Sequence, residues 1–397
     1  MNDTQPAALK CPQCGGDLRP TAEAFTICQF CGSSVVYQQR AAGAAGAAQD
    51  NPVEEKAVRG IRLKPLAIMD NEVTGMEVFH MLIPAGWQVK GGVRWLFDNP
   101  GMPAALSVQV WNPQGAEGFE VLPNMNFVPG GGLATLFNPQ GSKYYGAEVR
   151  KPVAMREAFT QFILPRYRSW AEKLQLVNFE LQPDLPRLVK SDALVTPNCS
   201  AEGGKARIRY SWHNQDYEEE IYGVVEIFRM PTPAAIGKPE VIVWFIDNLF
   251  AFRAGAGRLE ANVDLFTMMI TSLKANPEWY AAFKTIANQL IAKQIQHIKN
   301  IGEFGRAYAE AGSQARQQNL NDWYARQDVY DRLATDRSRS IRDVDGFYDP
   351  HKGEVVELPS GYGQAWANNN GEYIVTDNPN FNPNEQSNLH WEPMTPQ

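Results

Sequence analysis

The sequence predicts an α+β protein with several domains: a small cysteine-rich module, a mostly antiparallel sheet with helices, a long helical arm and a C-terminal β-meander. Between positions 76 and 246 the chain contains short runs rich in Val, Ile, Phe, Tyr and Trp, bounded by Gly, Pro and Asn, which is typical of strands. From Leu259 onward the apolar residues recur with a helical period of about 3.6 residues. Strand-like runs separated by turn residues return after position 346.

The length and composition are those of a globular chain. At about 150 residues per domain, 397 residues correspond to two or three domains. Hydrophobic residues make up 44% and charged residues 20%, which excludes wholesale disorder and a coiled-coil rod. The net charge of −7 lies almost entirely in residues 346–397, where seven acidic residues stand against Lys352 alone. We therefore expect this acidic tail to meet a basic surface, of the chain itself or of a partner.

Four of the five cysteines form two CxxC pairs near the N-terminus. Cys11 and Cys14 form the first pair, Cys28 and Cys31 form the second, and a glycine follows each pair. Thiolates at this spacing converge on one tetrahedral ion, and the glycine permits the tight turn around it. The pattern resembles the zinc-ribbon knuckle pair, which implies Zn²⁺ held by all four thiolates in a structural role. A redox pair is the alternative, but the surrounding residues lack the βαβ context of that site.

Shifts in composition divide the chain into five parts. Residues 1–40 are the predicted zinc ribbon, and residues 41–58, which begin with AAGAAGAAQ, are a flexible Ala/Gly linker. The α+β body spans residues 59–275, the helical arm 276–345 and the acidic β-meander 346–397. A flexible coil of the linker's length reaches about 20 to 25 Å, so the ribbon is expected to act as a tethered module.

Residues 155–176 carry apolar residues at helical spacing, interrupted by Pro165, and predict a split helix laid on the sheet. The segment is locally basic, and Arg166 and Arg168 are among its positive residues. A solvated helix face is the simpler interpretation of these charges. Binding of an acidic partner, or of the acidic tail, is the alternative.

Residues that could carry catalysis are few. No GxSxG, HExxH, Walker A or GxGxxG motif occurs, and the five histidines are widely separated. Glu218 and Glu220 would share one face of a strand and could form a carboxylate pair, although a solvated strand end is the favoured interpretation. The fifth cysteine, Cys199, is more typical of a small buried residue than of a nucleophile.

Two further regions are similar to known families. Residues 79–87, FHMLIPAGW, resemble the strand and Pro-x-Gly-Trp turn of PsbP-like domains, which implies an α+β binding module without catalytic activity. In residues 358–393 the segments LPSGY, GEY and WEP resemble the motifs of WW domains. That resemblance implies recognition of a Pro-rich peptide by Tyr373 and Trp391, with Tyr362 in place of the first family tryptophan. A meander that packs these rings against the body is the alternative.

These features predict a non-enzymatic adaptor or assembly component, a scaffold that docks protein partners and carries a structural zinc ribbon. One alternative is a hydrolase or transferase with a carboxylate site in the central body. Another is a zinc-ribbon protein that binds nucleic acid, which the zero net charge of residues 1–40 disfavours. The helical arm is expected to pair with a partner or with a second copy of the chain.

The sequence also predicts a cytoplasmic protein without a membrane span. The N-terminus shows no basic and apolar export signal, and the cysteines imply no disulfide framework. The strongest apolar run, Val241–Phe252, is shorter than the roughly 20 residues of a span and contains Asp247. This run is expected to form buried strands.

Overall fold

The structure, a computed structural model, describes residues 9–10, 17–18, 25–27, 34–36, 60–96, 98–129, 138–231, 240–292, 313–333, 344–385 and 387–397. The first four ranges are the short strands β1 (Leu9–Lys10), β2 (Asp17–Leu18), β3 (Phe25–Ile27) and β4 (Ser34–Val36). β1 pairs antiparallel with β2, and β3 pairs antiparallel with β4. Two short strand pairs therefore precede the body of the protein.

The body and the C-terminal segment consist mainly of strands. Those before residue 256 are β5 (Gly60–Met69), β6 (Glu77–Pro84), β7 (Gln88–Trp95), β8 (Ala104–Trp111), β9 (Gly118–Val121), β10 (Met125–Val128), β11 (Lys143–Tyr144), β12 (Ala147–Val149), β13 (Glu172–Leu181), β14 (Ser200–Trp212), β15 (Gln215–Pro231) and β16 (Glu240–Gly255). The later strands are β17 (Lys274–Ala275), β18 (Val344–Asp349), β19 (Glu354–Pro359), β20 (Gln364–Asn368), β21 (Tyr373–Thr376), β22 (Trp391–Pro393) and β23 (Thr395–Pro396).

The described helices lie between and after these strands. They are α1 (Met155–Ala158), α2 (Leu164–Tyr167), α3 (Leu185–Leu188), α4 (Val263–Thr271), α5 (Pro277–Ala292) and α6 (Ser313–Leu333), with 3₁₀ turns at Asp192–Leu194, Glu260–Asn262 and Pro383–Glu385. A π-helical turn, Phe159–Ile163, joins α1 to α2. Pro165 lies in the first turn of α2, directly after the π-helical turn. The interruption predicted at Pro165 therefore takes the form of this π-helical turn.

The larger sheet is organised around the meander β13–β14–β15–β16. β14 pairs with β15 over the whole length of β14, and the two strands are joined by His213 and Asn214, whose positive φ angles of 49° and 60° are those of a type I′ turn. β16 continues the sheet to β9 and β10, and β8 and β7 follow β9. The result is a long curled sheet that is antiparallel except where β10 pairs with β12.

Apolar side chains cover both faces of the larger sheet. On one face Val224 packs in a cluster with Phe266 of α4. On the other face Ile221 and Val225 pack with Phe159 and other residues of the α1–α2 segment. Burial of an aliphatic or aromatic side chain of this kind stabilises the fold by about 1.5 to 3 kcal/mol. The core of the body is therefore split into two layers by β15.

A second sheet joins the start of the body to the C-terminal segment. Its strand order is β17–β6–β5–β21–β20–β22, and β21 pairs antiparallel with β5, with Tyr373 opposite Leu63. The sheet β19–β18–β23 lies against α4. The prediction of a separate C-terminal β-meander is thus wrong. Its strands are short, and they complete the edge of a body strand rather than pairing only with one another.

The predicted long helical arm is also wrong, because α6 folds back on α5. The rings of Tyr280 and Trp323 are 4.8 Å apart, and Asn319 Nδ2 donates to Thr285 Oγ1 over 2.8 Å. The two helices therefore run in opposite directions. Trp323 of α6 is half-buried in this contact. In place of the predicted α+β fold class, the described residues form a sheet-rich protein with curled sheets.

Asp70, which follows β5, connects the second sheet to α5. Its carboxylate accepts indole N–H groups from Trp95 at 3.1 Å and Trp279 at 3.0 Å, the Val73 backbone N–H at 3.1 Å and the Thr74 hydroxyl at 2.9 Å. Burial raises the pKa of Asp70, but these hydrogen bonds outweigh burial and hold the pKa below its ordinary value. The ionised form is therefore the one that the fold stabilises.

We expect Asp70→Asn to lower the free energy of unfolding at neutral pH by about 1 to 3 kcal/mol, because an amide cannot accept all of these donors. In the wild type this stabilisation is complete above the ordinary pKa of 3.8 and is lost as the pH falls through the lower pKa of the folded state. Urea unfolding between pH 7 and pH 3 measures the effect. Asp264→Asn, at an exposed position, is the control. Equal stability losses for both variants at neutral pH would contradict this role of Asp70.

Candidate functional site

The predicted zinc ligands Cys11, Cys14, Cys28 and Cys31 lie outside the described residues. The strands beside each CxxC pair are described, and they show where each pair falls in the chain. The first pair lies in the connection between β1 and β2, residues 11–16, and the second in the connection between β3 and β4, residues 28–33. Both connections are six residues long, with cysteine at the first and fourth positions. Along the sequence, each CxxC pair therefore stands between two strands that pair with each other.

The aromatic residues predicted to bind a partner lie inside the protein or against its core. Tyr373 is 0% exposed and Trp391 is 2% exposed. The Tyr373 hydroxyl donates to Asp349 Oδ2 and accepts from Lys352 Nζ, each over 2.8 Å. Tyr362 is half-buried and packs on the main apolar cluster. These rings stabilise the second sheet and present no open groove, so the alternative of packing against the body describes them.

Arg166 and Arg168, the basic residues predicted to bind a partner, have opposite environments. Arg168 is buried, and its guanidinium bonds Glu219 at 3.0 Å and Glu120 at 2.7 Å. Burial lowers the pKa of Arg168, but the two carboxylates outweigh burial and raise it. Arg166 is exposed and borders an open groove of about 310 Å³ that is also lined by Arg150. Arg168 is thus a buried structural cation, and only Arg166 is available to a partner.

The solvated strand end predicted for Glu218–Glu220 is wrong. The three side chains are 1%, 1% and 7% exposed. Arg209 lies directly opposite Glu218, and Arg207 lies directly opposite Glu220, with closest contacts of 3.0 Å and 2.8 Å. Each carboxylate is therefore paired with an arginine from a neighbouring element. The alternation of basic residues along β14 is the sequence signal that could have indicated this ladder.

Two acidic side chains that the sequence did not single out as a pair lie together on the larger sheet. Glu226 is on β15 and Asp247 is on β16. The register sets Val224 opposite Asp247 and Glu226 opposite Phe245, so the two acids are diagonal neighbours on one face. Glu226 is 4% exposed. We refer to Glu226, Asp247, Asn124 and Ser191 as the carboxyl centre.

The pKa values of both acids of the carboxyl centre are raised. Burial and the charge of Asp247 raise the pKa of Glu226 to about 8. The Ser191 side chain lowers this pKa by a smaller amount. Burial also raises the pKa of Asp247, opposed by the Asn248 backbone N–H, which donates to Asp247 Oδ1 over 2.6 Å. A buried pair of like charges is unfavourable without a counter-charge. The sequence signal was Asp247 inside an apolar strand-like run. The period of the side chains does not show that Glu226 lies beside it.

Comparison of the chain with family models, curated proteins and solved structures finds no match. Among the side chains that the structure describes, no three or more His, Cys, Asp or Glu residues are grouped so that they could hold a metal ion. None of the described helices is long and apolar enough to cross a membrane.

Proposed function

We propose that the protein is a non-enzymatic adaptor or assembly component, in which residues 1–40 form a zinc-held module that docks protein partners. The observation that carries this proposal is the equivalent placement of the two CxxC pairs. Each pair occupies a six-residue connection between two antiparallel strands. Such a connection brings two thiolates towards one ion, and two connections complete a tetrahedral Zn²⁺ site.

Four thiolate ligands leave the zinc ion no open position for water or substrate, so its proposed role is structural. A segment as short as residues 1–40 cannot bury a large core, and binding of zinc supplies about 10 to 16 kcal/mol of folding free energy. The Ala/Gly composition of residues 41–58 supports a tether with a reach of about 20 to 25 Å. The module can therefore bind one partner while the body binds another.

Recovery of the protein from its native cells without crosslinking tests the adaptor proposal. We expect the wild type to elute in a defined complex larger than one chain. The Cys11→Ser, Cys28→Ser double variant is expected to lose that complex, because the docking module no longer folds. Cys199→Ser, which changes the cysteine outside the module, is the matched control. Consistent recovery of the wild type as a partner-free monomer would count against an adaptor.

Nucleic-acid binding is distinguished by its salt dependence. The zero net charge of residues 1–40 predicts little attraction to phosphate. Labelled DNA and RNA are titrated with the full chain at several salt concentrations. Tight binding that weakens steeply with salt would favour the nucleic-acid alternative, and absence of binding at low salt would exclude it.

The Glu226–Asp247 pair favours a hydrolase or transferase as the second candidate function. A buried carboxyl group with a raised pKa is a typical general acid. Because Glu226 is nearly inaccessible to solvent, a substrate would need to displace residues 185–194 from the sheet. A hydrolytic or transfer activity that is present in the wild type and lost in Glu226→Gln would support this candidate over the adaptor.

A further inference from the structure

Three buried oxygen atoms of the carboxyl centre lack a hydrogen-bond partner within the described part of the chain: Glu226 Oε1, Ser191 Oγ and Asn124 Oδ1. Ser191 is 2% exposed, and Glu226 is 4% exposed. A buried polar atom without a partner costs about 1 to 3 kcal/mol, and native proteins rarely leave such atoms unsatisfied. Three of them around one pair of carboxyl groups indicate that a bound group belongs at this place.

The side chains of the centre come from four separate segments. Glu226 and Asp247 lie on adjacent strands, one diagonal position apart on the same face. Asn124 directly precedes Met125, which lies opposite Ile246, so Asn124 lies beside Asp247. Ser191 directly precedes the 3₁₀ turn Asp192–Leu194, which contacts β15. The Asn248 backbone N–H donates to Asp247 Oδ1 over 2.6 Å and fixes the orientation of that carboxylate. Oxygen atoms from the two strands, a loop and the start of a 3₁₀ turn are thus gathered at one place.

The chemistry of these atoms selects the class of ligand. All of them are oxygens: two carboxylates, one amide and one hydroxyl. Oxygen-only sets suit the hard cations Mg²⁺ and Ca²⁺, whereas zinc and copper favour imidazole and thiolate ligands. Mg²⁺ is commonly held by one or two carboxylates and retains bound water. A site with two carboxylates agrees with the absence, among the described residues, of a group of three or more metal-binding side chains.

A water molecule would be a poorer occupant. It could satisfy the three oxygens, but it would supply no positive charge to the two carboxyl groups. A divalent cation satisfies the oxygens and neutralises both carboxylates. We propose that the carboxyl centre binds one hard divalent cation, Mg²⁺ or Ca²⁺, which fastens β15 and β16 to the segment that contains Ser191.

The proposed cation lies next to the attachment point of the helices. Asp192, the neighbour of Ser191, accepts from the Tyr280 hydroxyl at 3.0 Å and pairs with Arg326 at 3.3 Å. Tyr280 belongs to α5 and Arg326 to α6. Holding Ser191 in place therefore also holds the residue to which both helices attach. This site is independent of the zinc proposal, since it shares no residue with residues 1–40.

Separate titrations of the full chain with MgCl₂ and CaCl₂ test the site, with the N-terminal zinc left in place. Binding is followed by calorimetry and by the thermal unfolding temperature, at mildly alkaline pH because carboxylates bind cations in their ionised form. We expect saturable binding of one cation per chain and a higher Tm. Glu226→Gln and Asp247→Asn are expected to weaken binding by about tenfold or more. Glu157→Gln, at an exposed position, is expected to bind as the wild type does.

A second pair of measurements keeps loss of folding separate from loss of binding. Glu226→Gln removes a buried charge, so this variant is expected to remain folded without a cation. Ser191→Ala removes a neutral ligand and is expected to weaken binding while retaining the wild-type fold by circular dichroism. Absence of a saturable response to either cation would overturn the proposal. So would a wild-type response in both Glu226→Gln and Ser191→Ala, which would leave a buried water or a shared proton at the centre.

Discussion

Replacement of Arg168 by Ala is expected to lower the free energy of unfolding by about 3 to 5 kcal/mol. The Arg168 side chain is 4% exposed and the Glu219 side chain 1% exposed. Removal of the guanidinium leaves the Glu219 carboxylate buried without a counter-charge and takes a partner from Glu120. A buried unpaired charge is among the most destabilising consequences of a single substitution. Denaturant unfolding monitored by tryptophan fluorescence measures the loss.

Arg166, in the last turn of α2, provides the control. Arg166→Ala, at an exposed position, is expected to change the free energy of unfolding by no more than about 0.5 kcal/mol. The double variant Arg168→Met, Glu219→Gln removes both charges and is expected to recover much of the stability that Arg168→Ala loses. Equal effects of Arg166→Ala and Arg168→Ala would contradict the assignment of Arg168 as a buried structural cation.

Loss of zinc is expected to unfold the N-terminal module, because metal binding supplies about 10 to 16 kcal/mol of its folding free energy. The Cys11→Ser, Cys28→Ser double variant should be cleaved rapidly by a protease at sites within residues 1–40. A fragment that begins near residue 60 should persist, since the sheets of the body do not depend on these cysteines. Limited proteolysis followed by mass spectrometry measures both effects. Cleavage within residues 1–40 at the same rate in the Cys199→Ser control would contradict a zinc-held module.

Local patterns in the sequence predicted local structure well. Alternating apolar residues located the long strands of the body. Asn370–Gly371 between two strand-like runs predicts a hairpin, and the pairing of β20 with β21 confirms it. Gly371 has a positive φ of 74° but Asn370 does not, so the loop is not the type I′ turn that this pair of residues favours. Both results depend only on residues that are close in sequence. The period of the side chains and the turn chemistry were therefore sufficient.

Pairing between distant segments could not be predicted in this way. The contact of β21 with β5 joins residues about three hundred positions apart, and nothing in either strand specifies the other. The same limit applies to α6. The sequence predicts that Trp323 belongs to an outward arm, but Trp323 packs on Tyr280. An apolar stripe shows that a helix buries one side. It does not show whether the chain or a partner covers that side.

The candidate sites differ in the same way, because some depend on residues close in sequence and others on distant segments. The zinc ligands follow from the two residues between the cysteines of each CxxC pair, so the sequence alone suggests them. Burial of Glu218–Glu220 depends on the register of β14, because a shift of one residue would turn every arginine to the other face. The carboxyl centre depends in addition on a loop and a 3₁₀ turn that come from elsewhere in the chain. Both arrangements became visible only in the folded protein.

The zinc content of the purified full-length chain, measured without added metal, shows whether Cys11, Cys14, Cys28 and Cys31 hold an ion. We expect one Zn²⁺ per chain in the wild type and in Cys199→Ser, and none in the Cys11→Ser, Cys28→Ser double variant. A wild-type protein that contains no zinc would contradict the proposal, as would a double variant that retains the wild-type amount.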